Sequence, residues 1–167
     1  MSASTRIAGL GVHLPEQVRT TAETEQRLRA ENPGMRLATG LISRMTGVER
    51  VHVAPHDWQA SDLAVAASRQ ALEQSPGDID LVLFTAAAQD LVEPATSHIV
   101  AAKLGLTAPV MDVKNACNSV INGMQVADAL IRTGQYRRVL VASAMASGTI
   151  VRGLSGKQRA AMASGVQ

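Results

Sequence analysis

Aromatic rings are almost missing from this chain: its 167 residues include one Trp, one Tyr and one Phe. That excludes a stacking platform for single-stranded nucleic acid, which needs several exposed rings. It leaves a core of Ala, Val, Leu, Ile and Met, suited to helices packed closely on a sheet. Cysteine occurs once, at Cys117, which rules out an internal disulfide framework and a Cys-rich zinc site. No unbroken apolar run reaches the roughly 18 residues of a membrane span, and no charged-then-apolar leader opens the chain. These absences predict a cytoplasmic protein with no membrane span. Acidic residues stop at Asp128, after which come Arg132, Arg137, Arg138, Arg152, Lys157 and Arg159. With a net charge of only +2 the asymmetry is local. It suits a solvated face, or a surface meeting a phosphate-bearing partner.

Hydrophobic content of 46% supports one real core, and the pattern alternates strand and helix. "TRIAGLGVHLP" (Thr5–Pro15) opens with a β-like segment. Thr20 and Glu23 form a capping-box pair that predicts a helix over 22–31, stopped by Asn32-Pro33-Gly34. "LATGLISRMTG" reads as a short helical or irregular piece and "VERVHV" as a strand. Ser61 is placed to cap the helix "DLAVAASRQALEQ". "DIDLVLFTAAA", "PVMDV" and "RRVLVASA" are nearly continuous apolar runs, as expected of strands covered on both faces. Between them come a short helix ending at Gly105 and a long one over 117–133, with Val120, Ile121, Met124, Ala127 and Ile131 on one side. The expected class is α/β, a largely parallel sheet with helices on both faces. The pattern covers residues 1–144; an irregular basic segment follows over 145–167.

Cys117 stands where a buried strand turns into that long helix. Helix N-terminal amides and the dipole there are the conditions that raise a thiolate fraction. The alternative is a small buried hydrophobe. Gly9-Leu10-Gly11 follows a strand but lacks the third glycine and the helix of a dinucleotide loop, so a tight turn is expected. His52 and His56 are four apart, but Pro55 breaks the helix such a metal-ligand spacing needs. His13 and His98 are isolated. Glu93 lies in a loop after a buried strand, where functional residues of α/β folds collect, or it serves as a solvated dipole partner for the next helix.

"DVKNACNSVINGMQVADALIRTGQYRRVLVASA" resembles the active-cysteine strand–helix–strand of the type III β-ketoacyl-acyl-carrier-protein synthases, within the thiolase superfamily. "GLGVHLPEQVRTTAETE" is similar to the opening strand and loop of that family, and "LISRMTGVERVHVAP" to its Thr-Gly segment. The resemblance implies a thiolase-like layered fold of which this chain is the N-terminal half, incomplete without a second half that carries the family's histidine and asparagine. It implies that Cys117 accepts an acyl group from a thioester, its backbone N–H helping to hold the oxyanion, before a decarboxylative or non-decarboxylative Claisen condensation. The family's coenzyme A contacts, a Trp and an Arg, fall on Leu41 and Met45, with Arg44 the nearest cation; the resemblance implies a thioester of coenzyme A or of acyl carrier protein.

"DLVEPATSHIVAAKLGL" is similar to the branch that condenses two acyl thioesters head to head in olefin biosynthesis, which implies a base role for Glu93 across a dimer interface. No cofactor beyond the thioester substrate is implied. The partners implied are a second copy, or a chain bearing the missing half. The rival expectations are a non-catalytic subunit of a heteromeric ketosynthase, and a truncated fragment inactive alone.

Overall fold

The computed structural model describes residues 4–145. They form two compact units, one of residues 14–57 and one of the remainder.

In the smaller unit, β1 (Val18–Thr20) pairs antiparallel with β2 (Arg50–His52), Val18 opposite His52 and Thr20 opposite Arg50. Helix α1 (Thr21–Glu31) begins at the expected capping box: Glu23 N–H donates to Thr20 Oγ1 at 3.2 Å, and Thr20 N–H to Glu23 Oε2 at 2.7 Å. Helix α2 (Leu41–Thr46) lies between two left-handed glycines, Gly40 and Gly47. One buried carboxylate fixes its start. Glu25, 1% exposed, accepts from Gly40 N–H at 2.7 Å and Ile42 N–H at 2.8 Å, with Arg29 beside it at 3.4 Å. The backbone amides of Ile42 and Gly40, more than Arg29, push the Glu25 carboxyl below the usual glutamate range.

A depressed folded value gives stability that is present above the unfolded value and lost as pH falls through the folded one. Denaturant unfolding should therefore show the chain weakening as pH falls through and below the ordinary glutamate range. Glu25→Gln should lower stability at neutral pH and reduce that slope; an unchanged slope would remove Glu25 from the account.

In the larger unit, β3 (Leu81–Thr85) is the central strand of a three-stranded parallel sheet, between β4 (Val110–Val113) and β5 (Val139–Ala142). Val82 pairs with Val110 on one side and Leu140 on the other. Helices α3 (Ala60–Gln74) and α4 (Thr96–Leu104) pack on each other and on the sheet. Helix α5 (Ser119–Arg132), entered through a 3₁₀ turn at Ala116–Asn118, covers Leu81 and Leu83 with Val126, Ala127 and Leu130. Side chains alternate along a strand, so Val82 and Phe84 point to the opposite face, where they are fully buried. The expected sheet with helices on both faces is present, and Gly105 closes α4 at φ 71°.

Three expectations are corrected. Residues 5–15 hold no strand; the part around Leu10–Val12 lies along α3, where Gln74 clamps both backbone groups of Leu10 and Gln70 accepts from Val12 N–H. Gly9 and Gly11 do not make a tight turn: they are needed for close approach, because a Cβ at either would collide with the carbonyls of Ala71 and Ala67. Ser61 does not cap α3. Gln59 does, while buried Ser61 donates its N–H to Asp90 and accepts from Lys103 Nζ at 2.7 Å.

The buried side of α5 is set by small residues. Ser119, Gly123 and Ala127 face the sheet, while Val120, Ile121 and Met124 are exposed. The small residues let the helix approach until a Cβ at Gly123 would overlap Thr85 Cγ2. The larger apolar side chains form a second face. The basic segment expected over 145–167 lies, from residue 146 on, outside the described residues.

Candidate active site

The three parallel strands end at one edge of the sheet, and in open α/β folds that is where ligands bind. Here the edge opens into a cleft of about 240 Å³, lined by Thr85–Ala87 at the end of β3, Ser143–Met145 after β5, and Ala116, Cys117, Ser119 and Val120. The hydroxyls of Thr85 and Ser143 stitch its floor: Thr85 Oγ1 donates to Ala142 O at 3.2 Å, and Ser143 Oγ to Thr85 O at 2.5 Å.

Cys117 is exposed in this cleft, so it is not the small buried hydrophobe of the alternative reading. Its place is fixed by the strand–turn–helix around it. Ala116, just before it, has φ 46° and is the one non-glycine residue with positive φ among the described residues. An L-residue in that region costs about 1–2 kcal/mol. Hydrogen bonds on both sides of Cys117 offset the cost. Asn115 N–H donates to Ser119 Oγ at 2.8 Å, and that hydroxyl donates to Ala116 O at 2.8 Å. Each neutral bond contributes about 0.5–1.5 kcal/mol, so the turn is closed by a margin of the same order as its strain.

Glu93 is exposed and does not line the cleft. Its loop is anchored at both ends: Asp112 of β4 accepts from Thr96 N–H at 3.0 Å, Ser97 N–H at 2.8 Å and Gln89 Nε2 at 2.9 Å, and Asp90 N–H donates to Thr96 Oγ1 at 3.1 Å. At the tip, Val92 is 92% exposed beside Glu93. Leu41, Arg44 and Met45 all lie on α2 in the smaller unit. Met45 is exposed, and the Arg44 guanidinium donates back to Gly40 O at 3.2 Å and Thr39 O at 3.4 Å. None of the four histidines lines the cleft. His52 Nδ1 sits 2.6 Å from Pro15 O, and His13 stacks on Trp58 with ring centroids 5.4 Å apart. No described helix is long and apolar enough to cross a membrane.

Residues 111–154, which hold Cys117 and the whole of α5 and β5, match the family model described as 3-oxoacyl-[acyl-carrier-protein (ACP)] synthase III. A β-ketoacyl-[acyl-carrier-protein] synthase III of Methylococcus capsulatus is 37% identical over 145 residues, 84% of this chain and 43% of the relative. Its counterpart in Thiobacillus denitrificans is 36% identical over 144 residues, 83% of this chain and 43% of that relative. The crystal structure of the synthase III of Xanthomonas oryzae superposes with TM-score 0.75 at 31% identity, covering 82% of this chain and 42% of the other. The chain carries the thiolase-like fold of the synthase III family.

The synthase III likeness is shared with a second kind of protein. A histidine-to-alanine variant of OleA from Xanthomonas campestris superposes with TM-score 0.78 at 26% identity, covering 92% of this chain and 50% of that one. The chain spans less than half the length of the curated synthase III relatives it matches.

Two groups near Cys117 escaped the sequence reading. Thr85 and Ser143 end apolar strands, where small hydroxyl residues look like filler. The asparagines of "NACNSVIN" lie within the segment that resembles the family, yet no periodicity assigns them a task.

Proposed function

We propose that this chain is the cysteine-bearing half of an acyl-thioester condensing enzyme. The observation that carries the reading is an exposed Cys117 in a cleft at the carboxyl ends of parallel strands, within the segment that matches the synthase III family. The Cys117 thiolate attacks the thioester carbonyl, and the oxyanion is held by backbone N–H groups, Cys117's among them. Collapse expels the carrier thiolate, of coenzyme A or acyl carrier protein, which takes up the proton lost from Cys117. The second acyl thioester then becomes a carbon nucleophile by decarboxylation or deprotonation, and attacks the acyl-cysteine. A carbon–carbon bond forms and Cys117 leaves as thiolate. The alignment of Leu41, Arg44 and Met45 with the family's coenzyme A contacts makes α2 the carrier-contacting element in this reading.

The second step needs acid–base groups that are not among the described residues lining this cleft. In this reading a complementary half supplies them. Glu93 acts in a neighbour's cleft, and its exposure at the tip of an anchored loop supports that placement. Glu93→Gln should leave acyl transfer to Cys117 within about threefold of the unaltered chain while lowering condensation in the assembled complex by about 10²-fold or more, the usual weight of a general base. Chromatographic measurement of the condensed product separates the two steps. Equal loss of both would remove Glu93 from the role.

A non-catalytic subunit is the second reading, and the exposed apolar face of Val120, Ile121 and Met124 is compatible with it, because such a face needs a partner. Alkylation separates the two. A Cys117 that reacts with iodoacetamide faster than a free thiol at neutral pH supports catalysis, and an inert one supports the subunit role.

A further inference from the structure

Cys117 is flanked on both sides by asparagines whose carboxamides converge on one acceptor. Asn115 Nδ2 donates to Asn122 Oδ1 at 2.6 Å, and Asn118 Nδ2 donates to the same oxygen at 3.3 Å. The Asn122 amide is itself oriented, since its Nδ2 donates to Gln125 Oε1 at 2.8 Å. Asn122 sits on the first turns of α5, half-buried, while Asn115 and Asn118 are exposed. One side chain on the rigid helix thus holds the residue that ends the strand side of the turn and the residue that begins the helix side. The strained Ala116 and the nucleophile lie between them.

The geometry points to Asn122 as a positioning residue for the nucleophile: its carboxamide oxygen clamps Asn115 and Asn118 and so fixes where the Cys117 sulfur and backbone N–H stand in the cleft. The role rests on the reading of Cys117 as the acyl acceptor. The Ser119 hydroxyl spans the same turn from the backbone, closing Asn115 N–H to Ala116 O, but it does not reach Asn118. Asn122 alone bridges both side chains. A loosened clamp leaves the thiol in place and reactive in principle, but spreads it over several orientations. Acyl transfer then slows because the sulfur and the oxyanion-binding amide are no longer held together.

Three variants of the full chain test this. Asn122→Leu keeps the size and removes the acceptor. Asn122→Asp keeps an acceptor oxygen for both asparagines. Gln125→Ala removes only the outer bond. Acyl transfer from an acyl-coenzyme A is followed by intact mass, and thermal midpoints are recorded for all four proteins. Asn122→Leu should slow Cys117 acylation by about 10–100-fold, the scale of a small misplacement of a reacting group. Asn122→Asp and Gln125→Ala should stay within about threefold to fivefold, all with thermal midpoints close to the unaltered chain. An Asn122→Leu chain acylated at the unaltered rate would overturn the role. So would losses that are equal in Asn122→Leu and Asn122→Asp, or that track the thermal midpoints. An unaltered chain whose Cys117 takes no acyl group would instead defeat the reading on which the role rests.

Discussion

Replacing Cys117 with alanine abolishes thiol release from an acyl thioester, by on the order of 10³-fold or more, the scale set by losing a nucleophile that forms a covalent intermediate. The size follows from what remains. With the sulfur gone, the cleft keeps its small walls and its backbone amides, and these hold a carbonyl without attacking it. Folding should be unaffected, because Cys117 is exposed and its side chain enters no core cluster. Thiol release monitored by a chromogenic disulfide, beside a circular dichroism melt, reads both quantities. Unchanged release with Cys117→Ala would mean that another group does the chemistry. A large drop in the melt would mean that the residue is structural after all.

Gly123→Ala lowers stability by about 1–3 kcal/mol, the cost of forcing a methyl group into a packed contact. The sign is the informative part. Alanine in a helix is favoured over glycine by about 1 kcal/mol, so an unpacked site would be stabilised. Here a Cβ overlaps Thr85 Cγ2 on the central strand, a side chain that is fully buried, and comes within 3.3 Å of Val141 Cγ1. The strand side can be opened. Thr85→Ser removes Cγ2 and keeps the hydroxyl that donates to Ala142 O. In urea unfolding the double variant should recover part of the loss, with a coupling of about 0.5–3 kcal/mol. Gly123→Leu should cost more than Gly123→Ala and gain less from Thr85→Ser. A stabilised Gly123→Ala would contradict the close seating of α5, and with it the position of the turn that carries Cys117.

That seating shows where the sequence was readable and where it was not. The strands around Leu81–Thr85, Val110–Val113 and Val139–Ala142 announce themselves, because burial on both faces leaves unbroken apolar runs. The turn of Cys117 follows from the strand and helix on either side of it. Helix α5 misleads because it is apolar on two faces. Val120, Ile121 and Met124 outweigh Ser119, Gly123 and Ala127 on any hydrophobicity scale, yet the small residues win the sheet by allowing closer contact. The first segment misleads for a related reason. Alternation across Gly9 and Gly11 reports an extended chain, but not whether a strand or a helix lies beside it. Glu25 carries little local signal: Arg29 follows four residues on, but the amides of Gly40 and Ile42 are brought to it only by the fold. The Asn115–Asn122–Asn118 clamp joins residues seven and four positions apart, but a helical period is read from apolar residues and these three are polar.

The most direct test of the account is the intact mass of the 167-residue chain after mixing with an acyl-coenzyme A and then a second acyl thioester. The account predicts a gain equal to one acyl group, mapped by peptide sequencing to Cys117, that persists after the second addition with no condensed product released. A chain that stays unmodified, carries the group elsewhere, or turns over to a condensed product by itself would contradict it.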